Sequence, residues 1–255
     1  EAADCEFDLD CDFNFLTVAQ WGPRKNLDNT IKWWVEEFKD DEVGLIVKTN
    51  LMKNSIIDRI HVTKRLQALL SEYPDRKCKV HLLHGYMTPE EMTALYQNEK
   101  IKSFVSLTHG EGFGLPLFES AYNGLPIVAP NWSGHVDFLH AERKVRRNKK
   151  MTKRVVPCFS EVKYDIAPVQ KEVVWNGVID RESKWCYPQK ESYQKSIRNV
   201  FSNLRRHEKV AETLKEHIVS NFSEEQMHDN FCNLIYAPSE EELQWLQELS
   251  QIEIL

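Results

Sequence analysis

No stretch of this 255-residue sequence reaches the ~18 consecutive apolar residues that a membrane-spanning helix needs. The N-terminus also lacks the basic, apolar and small-residue succession of a secretory signal. The chain opens at Glu1 rather than Met, in an acidic stretch over residues 1–12 that reads as a linker or tail of a longer parent. Cysteines are few and scattered. No two of Cys5, Cys11, Cys78, Cys158, Cys186 and Cys232 form a Cys-x-x-Cys pair, so the ligand spacing of a zinc site is absent. Their density is also unlike that of a small disulfide-stapled domain. Idle or buried thiols in a reducing, cytoplasmic setting are expected. Positive charge is in deficit: the formal net charge is -6. That argues against nucleic acid as a partner, because phosphate binding favours a basic face. No internal repeat or low-complexity stretch interrupts the chain.

What is present is enough apolar material for a core. Hydrophobic residues make up 42% of the chain, in a length that suits one large domain or two small ones. Residues 13–19 read as a buried strand, rich in β-branched and aromatic side chains. Leu27, Ile31, Trp34, Val35 and Phe38 then recur at helical spacing. A strand at 43–48, a long amphipathic helix at 56–72 and a strand at 79–83 follow. Thr88, Pro89 and Glu91 supply an N-cap, a first-turn proline and a capping-box glutamate for the next helix. A strand at 104–107, a helix at 116–123 stopped by Gly124, a strand at 126–129 and a short helix at 134–139 complete the pattern. Such alternation implies an α/β fold with a Rossmann-like, doubly wound parallel sheet. Ligands of these sheets bind at the carboxyl ends of the strands, which singles out residues 20–26, 48–54, 84–88, 108–115 and 130–135. Between 141 and 188 the pattern weakens. Helices resume at 192–205, 210–221 and 224–236, and an amphipathic helix is expected at 241–249.

The segment from His109 to Glu119 reads HGEGFGLPLFE. Gly110, Gly112 and Gly114 let the backbone approach a ligand closely. Pro116 opens a helix whose free N–H groups face the same place, a ready site for a diphosphate. Glu111 and Glu119 put two carboxylates beside it, and sugar hydroxyls are natural partners for them. Taken alone, the glycines equally suit a tight turn, and the carboxylates a helix cap and a solvated side chain. Lys48, ending a strand, is either a further cation for the site or a solvated strand end. The run of Arg143, Lys144, Arg146, Arg147, Lys149, Lys150, Lys153 and Arg154 also has two readings. It is a contact for anionic lipid or an anionic acceptor, or a mobile, solvated insertion.

The spacing of Glu111 and Glu119 resembles the Glu-x7-Glu signature of retaining glycosyltransferases of family four, which have the GT-B fold. Residues 120–129 resemble that family's helix, glycine stop and following strand. Ser133-Gly134 with Asp137 resembles its next loop, where Gly-Gly and an acid are usual. His84-Gly85-Tyr86 before the Thr88 helix start resembles the loop around the nucleotide base. The loop at 18–26, Trp185 to Pro188, and Asn221-Phe222-Ser223 are similar to further landmarks, so the resemblance spans about residues 13–236.

The resemblance implies the C-terminal half of a GT-B fold. Residues 1–12 would be tail, 13–236 the donor-binding domain and 237–255 a helical extension. Glu119 would hold the ribose hydroxyls and Glu111 the donor sugar. Backbone N–H groups of Phe113, Gly114 and Leu115 would meet the sugar or distal phosphate, with Gly112 and Gly22 close to the donor. Lys25, with Arg24 beside it, would neutralise the diphosphate as the glycosyl bond breaks. Tyr86 and Met87 would border the base. No metal or other cofactor is expected, because protein cations take that role. The partners implied are a nucleotide-sugar donor, an acceptor that is a glycan, lipid-linked or a small molecule, and an N-terminal GT-B domain carrying the acceptor site. One departure stands out: where the family usually has Arg, five residues before its Lys, this chain has Gln20. The same fold would also serve a phosphorylase, hydrolase or epimerase, or a sugar-nucleotide-binding module without catalysis.

Overall fold

In a computed structural model of the chain, residues 9–147, 150–236, 239 and 242–245 are described, with side chains omitted over 145–150. Most of the acidic tail, and most of the 237–255 extension with its expected helix at 241–249, lie outside these residues. The chain forms two compact units, residues Glu1–Glu216 and His217–Leu255.

The first unit follows the expected alternation: β1 Asn14–Val18, α1 Leu27–Phe38, β2 Gly44–Thr49, α2 Ile56–Leu70, β3 Lys79–His84, α3 Pro89–Gln97, β4 Ile101–Val105, α4 Leu115–Tyr122 and β5 Ile127–Pro130. A hairpin of β6 His140–Arg147 and β7 Lys150–Pro157 follows, then β8 Ser160–Val162, β9 Tyr164–Pro168, β10 Lys184–Pro188 and α5 Lys190–Ser202. Helix α6, Leu204–Asn221, runs across the division between the units. Helix α7, Glu224–Ile235, belongs to the second unit and is capped by Ser223, whose Oγ accepts from the Gln226 N–H.

Six strands form one sheet in the order β3-β2-β1-β4-β5-β8, and every neighbouring pair is parallel. The core grows from the spacing of apolar residues on α1. Leu27, Ile31, Trp34, Val35 and Phe38 are all buried, and Trp34 and Phe38 pack their rings 6.0 Å and 5.4 Å from Phe15 of β1. Tyr193, Ile197 and Val200 of α5 join the same core. The capping box of α3 forms as its sequence implies: Glu91 N–H donates to Thr88 Oγ1 and Thr88 N–H donates to the Glu91 carboxylate.

The pattern over 141–157 announces no strand, yet this segment forms an antiparallel hairpin, paired in register from His140–Pro157 to Arg147–Lys150; its side chains at 151–155 are exposed, in keeping with a solvated run. Its strands were invisible as strands because cations occupy both faces, leaving no apolar alternation to read. The short helix expected at 134–139 is a 3-10 turn over Gly134–Asp137.

The carboxyl ends of β2 and β3 are stapled by Asp58 in the first turn of α2. Its carboxylate accepts from the N–H groups of Leu51, Met52 and Lys53, and from His84 Nε2 at 2.8 Å. Burial opposes ionisation, yet these donors outweigh it and hold the Asp58 carboxyl well below its ordinary range. A depressed folded pKa contributes stability that is complete above the unfolded value, 3.8, and is lost as pH falls toward the folded value. Asp58→Asn is therefore expected to cost about 2–4 kcal/mol near neutral pH and to flatten the acid limb of the stability curve. Urea unfolding at a series of pH values checks this; parallel wild-type and variant curves would refute it.

Candidate active site

β1 pairs with β2 on one side and β4 on the other, so the strand order reverses there. A crevice opens at such a switch point, at the carboxyl ends of the two strands. The loop after β1 and the loop after β4 meet across it. His109 N–H donates to the Arg24 carbonyl at 2.8 Å, and Asn26 Nδ2 donates to the Leu107 carbonyl at 3.1 Å. Asn26 takes a left-handed conformation (φ 52°) that ends the 3-10 turn Pro23–Lys25 and caps α1.

This turn delivers two cations to one carboxylate. Lys25 Nζ lies 2.6 and 2.7 Å from the two Glu111 oxygens, and Arg24 Nη1 lies 3.1 Å from Oε2. Arg24 also donates to the Gly110 carbonyl. The Glu111 side chain is only 8% exposed. Burial alone would raise its pKa; the Lys25 hydrogen bond and charge, then Arg24, overcome this and hold the carboxyl below its ordinary value.

The Glu111 backbone is clasped from the other side. Its N–H donates to Ser133 Oγ at 2.6 Å, and its carbonyl accepts from Ser133 Oγ at 3.1 Å and from Gly134 N–H at 3.1 Å. Gly134 is required by this approach, since a Cβ there would stand 1.8 Å from the Gly112 carbonyl oxygen. Ser133 holds φ at 70°, a strained conformation for a residue with a side chain, and the clasp is what retains it. His135 is fully buried and bonded to the Pro130 carbonyl; burial lowers its pKa and keeps the ring neutral.

Gly114 begins α4 at φ 95°, with Pro116 in the first turn. Among the described residues, the N–H groups of Gly112, Phe113 and Gly114 have no acceptor. They stand free at a helix N-terminus, where anions are favoured. Phe113 and Leu115 are exposed. A Cβ added at Gly22 or Gly112 would meet nothing within 4 Å, so neither glycine is imposed by the protein's own packing.

Glu119 does not join the Lys25–Glu111 cluster. Its carboxylate accepts from Tyr96 OH at 2.9 Å, and burial raises its pKa against that bond. It lines a cleft of about 560 Å³ with Tyr86, Met87, Met92, Tyr96 and Tyr122. Tyr86 follows Gly85, whose φ is 106° and whose carbonyl accepts from Lys48 Nζ. Lys48 is thus no freely solvated strand end: it is half-buried, burial lowers its pKa, and it holds the Tyr86 loop. Gln20 donates its amide to the Leu51 carbonyl at 2.5 Å, tying the loop after β1 to the loop after β2. His109 is buried between strands: its ring stacks on Trp185 at 5.2 Å and bonds the Cys186 carbonyl, fastening β10 beside the site.

The sequence assigns no role to Tyr96, and it marks Ser133 only as part of a loop, not as the partner of Glu111. The signal for Tyr96 was present, because Met92 and Tyr96 are four apart on a helix whose start was legible. Nothing local announces that Ser133 adopts positive φ.

A family model described as glycosyl transferases group 1 matches residues 10–145. The chain belongs to this family. The match covers the segments carrying Lys25, Glu111, Glu119 and Ser133. A comparison with curated protein sequences returns no match. Among solved structures, the chain is similar to a glycosyltransferase from Rickettsia africae, with TM-score 0.57 and 12% identity over 87% of this chain and 46% of that one. It is similar to the C-terminal domain of a glycosyl transferase group 1 family protein from Francisella tularensis, with TM-score 0.50 and 12% identity over 83% and 87%. It is also similar to S. aureus TarM in complex with fondaparinux, α-GlcNAc-glycerol and UDP, with TM-score 0.53 and 16% identity over 93% and 37%. These likenesses establish the α/β Rossmann-like fold of the C-terminal half of GT-B glycosyltransferases. The chain spans less than half the length of the R. africae and S. aureus proteins. Among the described residues of this glycosyltransferase-family chain, no helix is long and apolar enough to cross a membrane.

The Lys25–Glu111 pair generates a stability test. Lys25→Ala leaves a nearly buried carboxylate facing only half-exposed Arg24, at an expected cost of about 1–3 kcal/mol. Adding Glu111→Gln should return most of it. A double-mutant cycle by chemical unfolding reads the coupling, and simple additivity of the two changes would contradict the pairing.

Proposed function

We propose that this chain is the donor-binding domain of a retaining glycosyltransferase that transfers a sugar from a nucleotide-diphosphate donor. The observation that carries this is the cluster of Lys25, Arg24 and Glu111 at the switch point, beside the free N–H groups of residues 112–114. The Glu111 carboxylate and the two cations neutralise one another. An arriving diphosphate offers Lys25 and Arg24 a stronger partner, and releases Glu111 to accept from hydroxyls of the donor sugar. Negative charge grows on the leaving diphosphate as the glycosyl bond breaks. Lys25, Arg24 and the N–H groups of Phe113, Gly114 and Leu115 would meet that charge, and donors fixed in place beforehand need little reorganisation. Protein cations thus fill the role a metal plays elsewhere. Gly22 and Gly112 keep side chains out of the donor's way. Glu119 accepts from the ribose hydroxyls, and Tyr86 and Met87 border the base at the exposed end of the Glu119 cleft.

The acceptor, whether a glycan, a lipid-linked or a small molecule, is assigned to an N-terminal GT-B domain facing this crevice. Efficient transfer accordingly needs that domain. A binding module without turnover is the second reading, and Gln20 is the observation that favours it. Its amide is committed to Leu51, and it brings no charge to the position where relatives usually hold Arg.

Calorimetric titration with UDP, GDP, ADP and their sugar conjugates tests the proposal. One nucleotide is expected to bind saturably, about tenfold or more weakly in Glu119→Ala. Because the Glu119 pKa is raised, affinity should fall as acid protonates it, at higher pH than for an ordinary glutamate. The absence of binding by any of these nucleotides, with or without the complete parent chain, would overturn the donor assignment. Binding without turnover by the parent chain would favour the second reading.

A further inference from the structure

At the amino end of the sheet, opposite the crevice, a cavity of about 310 Å³ opens between the root of the β6–β7 hairpin and the first turns of α6. Arg143 of β6 and Arg206, His207 and Lys209 of α6 line it, with Ser160 beside them. His207 is fixed there, 2.6 Å from Asn199 Oδ1 and 3.2 Å from Ser160 Oγ. Among the described residues no carboxylate lines the cavity. Nor do Arg143, Arg206 and Lys209 form an ion pair among them. Arg143 hydrogen-bonds the Cys158 thiol, which does not neutralise it, and in a chain of net charge -6 a set of cations without a carboxylate partner is not a reflection of composition.

Two of the charge placements run against local physics. The hairpin register sets Arg143 directly opposite Arg154, and like charges directly opposite across antiparallel strands repel. Arg205 and Arg206 stand in the first turn of α6, which holds no acidic residue, although the helix macrodipole disfavours cations at that end. The two penalties arise on separate elements, and one member of each, Arg143 and Arg206, lines the cavity.

We propose that this cavity is a second anion site that binds a phosphate group, carried by a soluble phosphorylated compound or by a lipid headgroup. The guanidinium forks of Arg143 and Arg206 supply paired donors to phosphate oxygens, and Lys209 adds a point charge. A headgroup source would turn the hairpin into a peripheral membrane contact, with Met151 and Val155 as its exposed apolar residues. The proposal shares no residue with the donor crevice and stands independently of the function assigned there.

The test uses the chain in three arms: calorimetry with inorganic phosphate, calorimetry with glycerol 1-phosphate, and sedimentation with phosphatidylglycerol or phosphatidylcholine vesicles. The double variant R206A/K209A changes two exposed side chains, R143A gives an independent second variant, and K25A controls for binding in the crevice. The expected result is saturable binding in at least one arm. It weakens about tenfold or more in R206A/K209A, falls in R143A, and is unchanged in K25A. Binding in the soluble arms assigns a soluble phosphate compound; binding only to phosphatidylglycerol vesicles assigns a headgroup. Binding that survives R206A/K209A, binding lost in K25A instead, or no binding by the folded wild type in any arm would overturn the proposal.

Discussion

The contact between Lys25 and Glu111 is the constraint around which the rest of the site is arranged. The two residues are 86 positions apart in the chain. They meet only because β1 and β4 are neighbours and their loops leave the sheet at the same end. A carboxylate with so little solvent contact requires a cation, so the pairing also fixes the approach of the two loops. Asn26 and the Arg24 carbonyl lock the β1 side, while Ser133 and Gly134 lock the β4 side. The strained Ser133 and the Gly134 close approach are therefore concentrated where loop position matters most. This geometry gathers cations, a carboxylate and free N–H groups at the carboxyl ends of β1 and β4.

Charge placement separates this molecule from a generic acidic α/β domain. One group of cations lies at the carboxyl ends of the central strands and is held by Glu111. Another lies at the amino ends, around the hairpin root, in a cavity that no carboxylate of the described residues lines. The first is neutralised internally by Glu111; the second has like charges facing one another across the hairpin and cations in the first turn of α6.

Much of the fold was legible because local signals agreed with one another. The bounds of α1 follow from five apolar residues at helical spacing, and α3 from its capping box. The parallel sheet follows from strand-helix alternation, and its strand order does not. Legibility failed where the pattern depends on distant partners. Strands β6 and β7 carry cations on both faces, and β8 is only three residues long and finds its place by pairing with β5. In the site, the Glu-x7-Glu spacing and the Lys25 loop stood out, whereas the contacts that hold them did not. Tyr96 reaches Glu119 from another helix, the Ser133 side chain reaches the Glu111 backbone from another loop, and Lys48 bonds Gly85 rather than the Glu111 cluster. Sequence identifies the residue types that carry chemistry; the residues that hold them emerge only from three-dimensional contact.

The most direct measurement of the central claim is amide hydrogen exchange, read by mass spectrometry, with and without whichever of UDP, GDP and ADP binds most tightly. Exchange reports burial and hydrogen bonding of individual backbone N–H groups. The account predicts that the nucleotide slows exchange in two separate segments at once, residues 22–26 and 110–116, because both line one crevice. Protection confined to other parts of the chain, or present in one of these segments without the other, would contradict it.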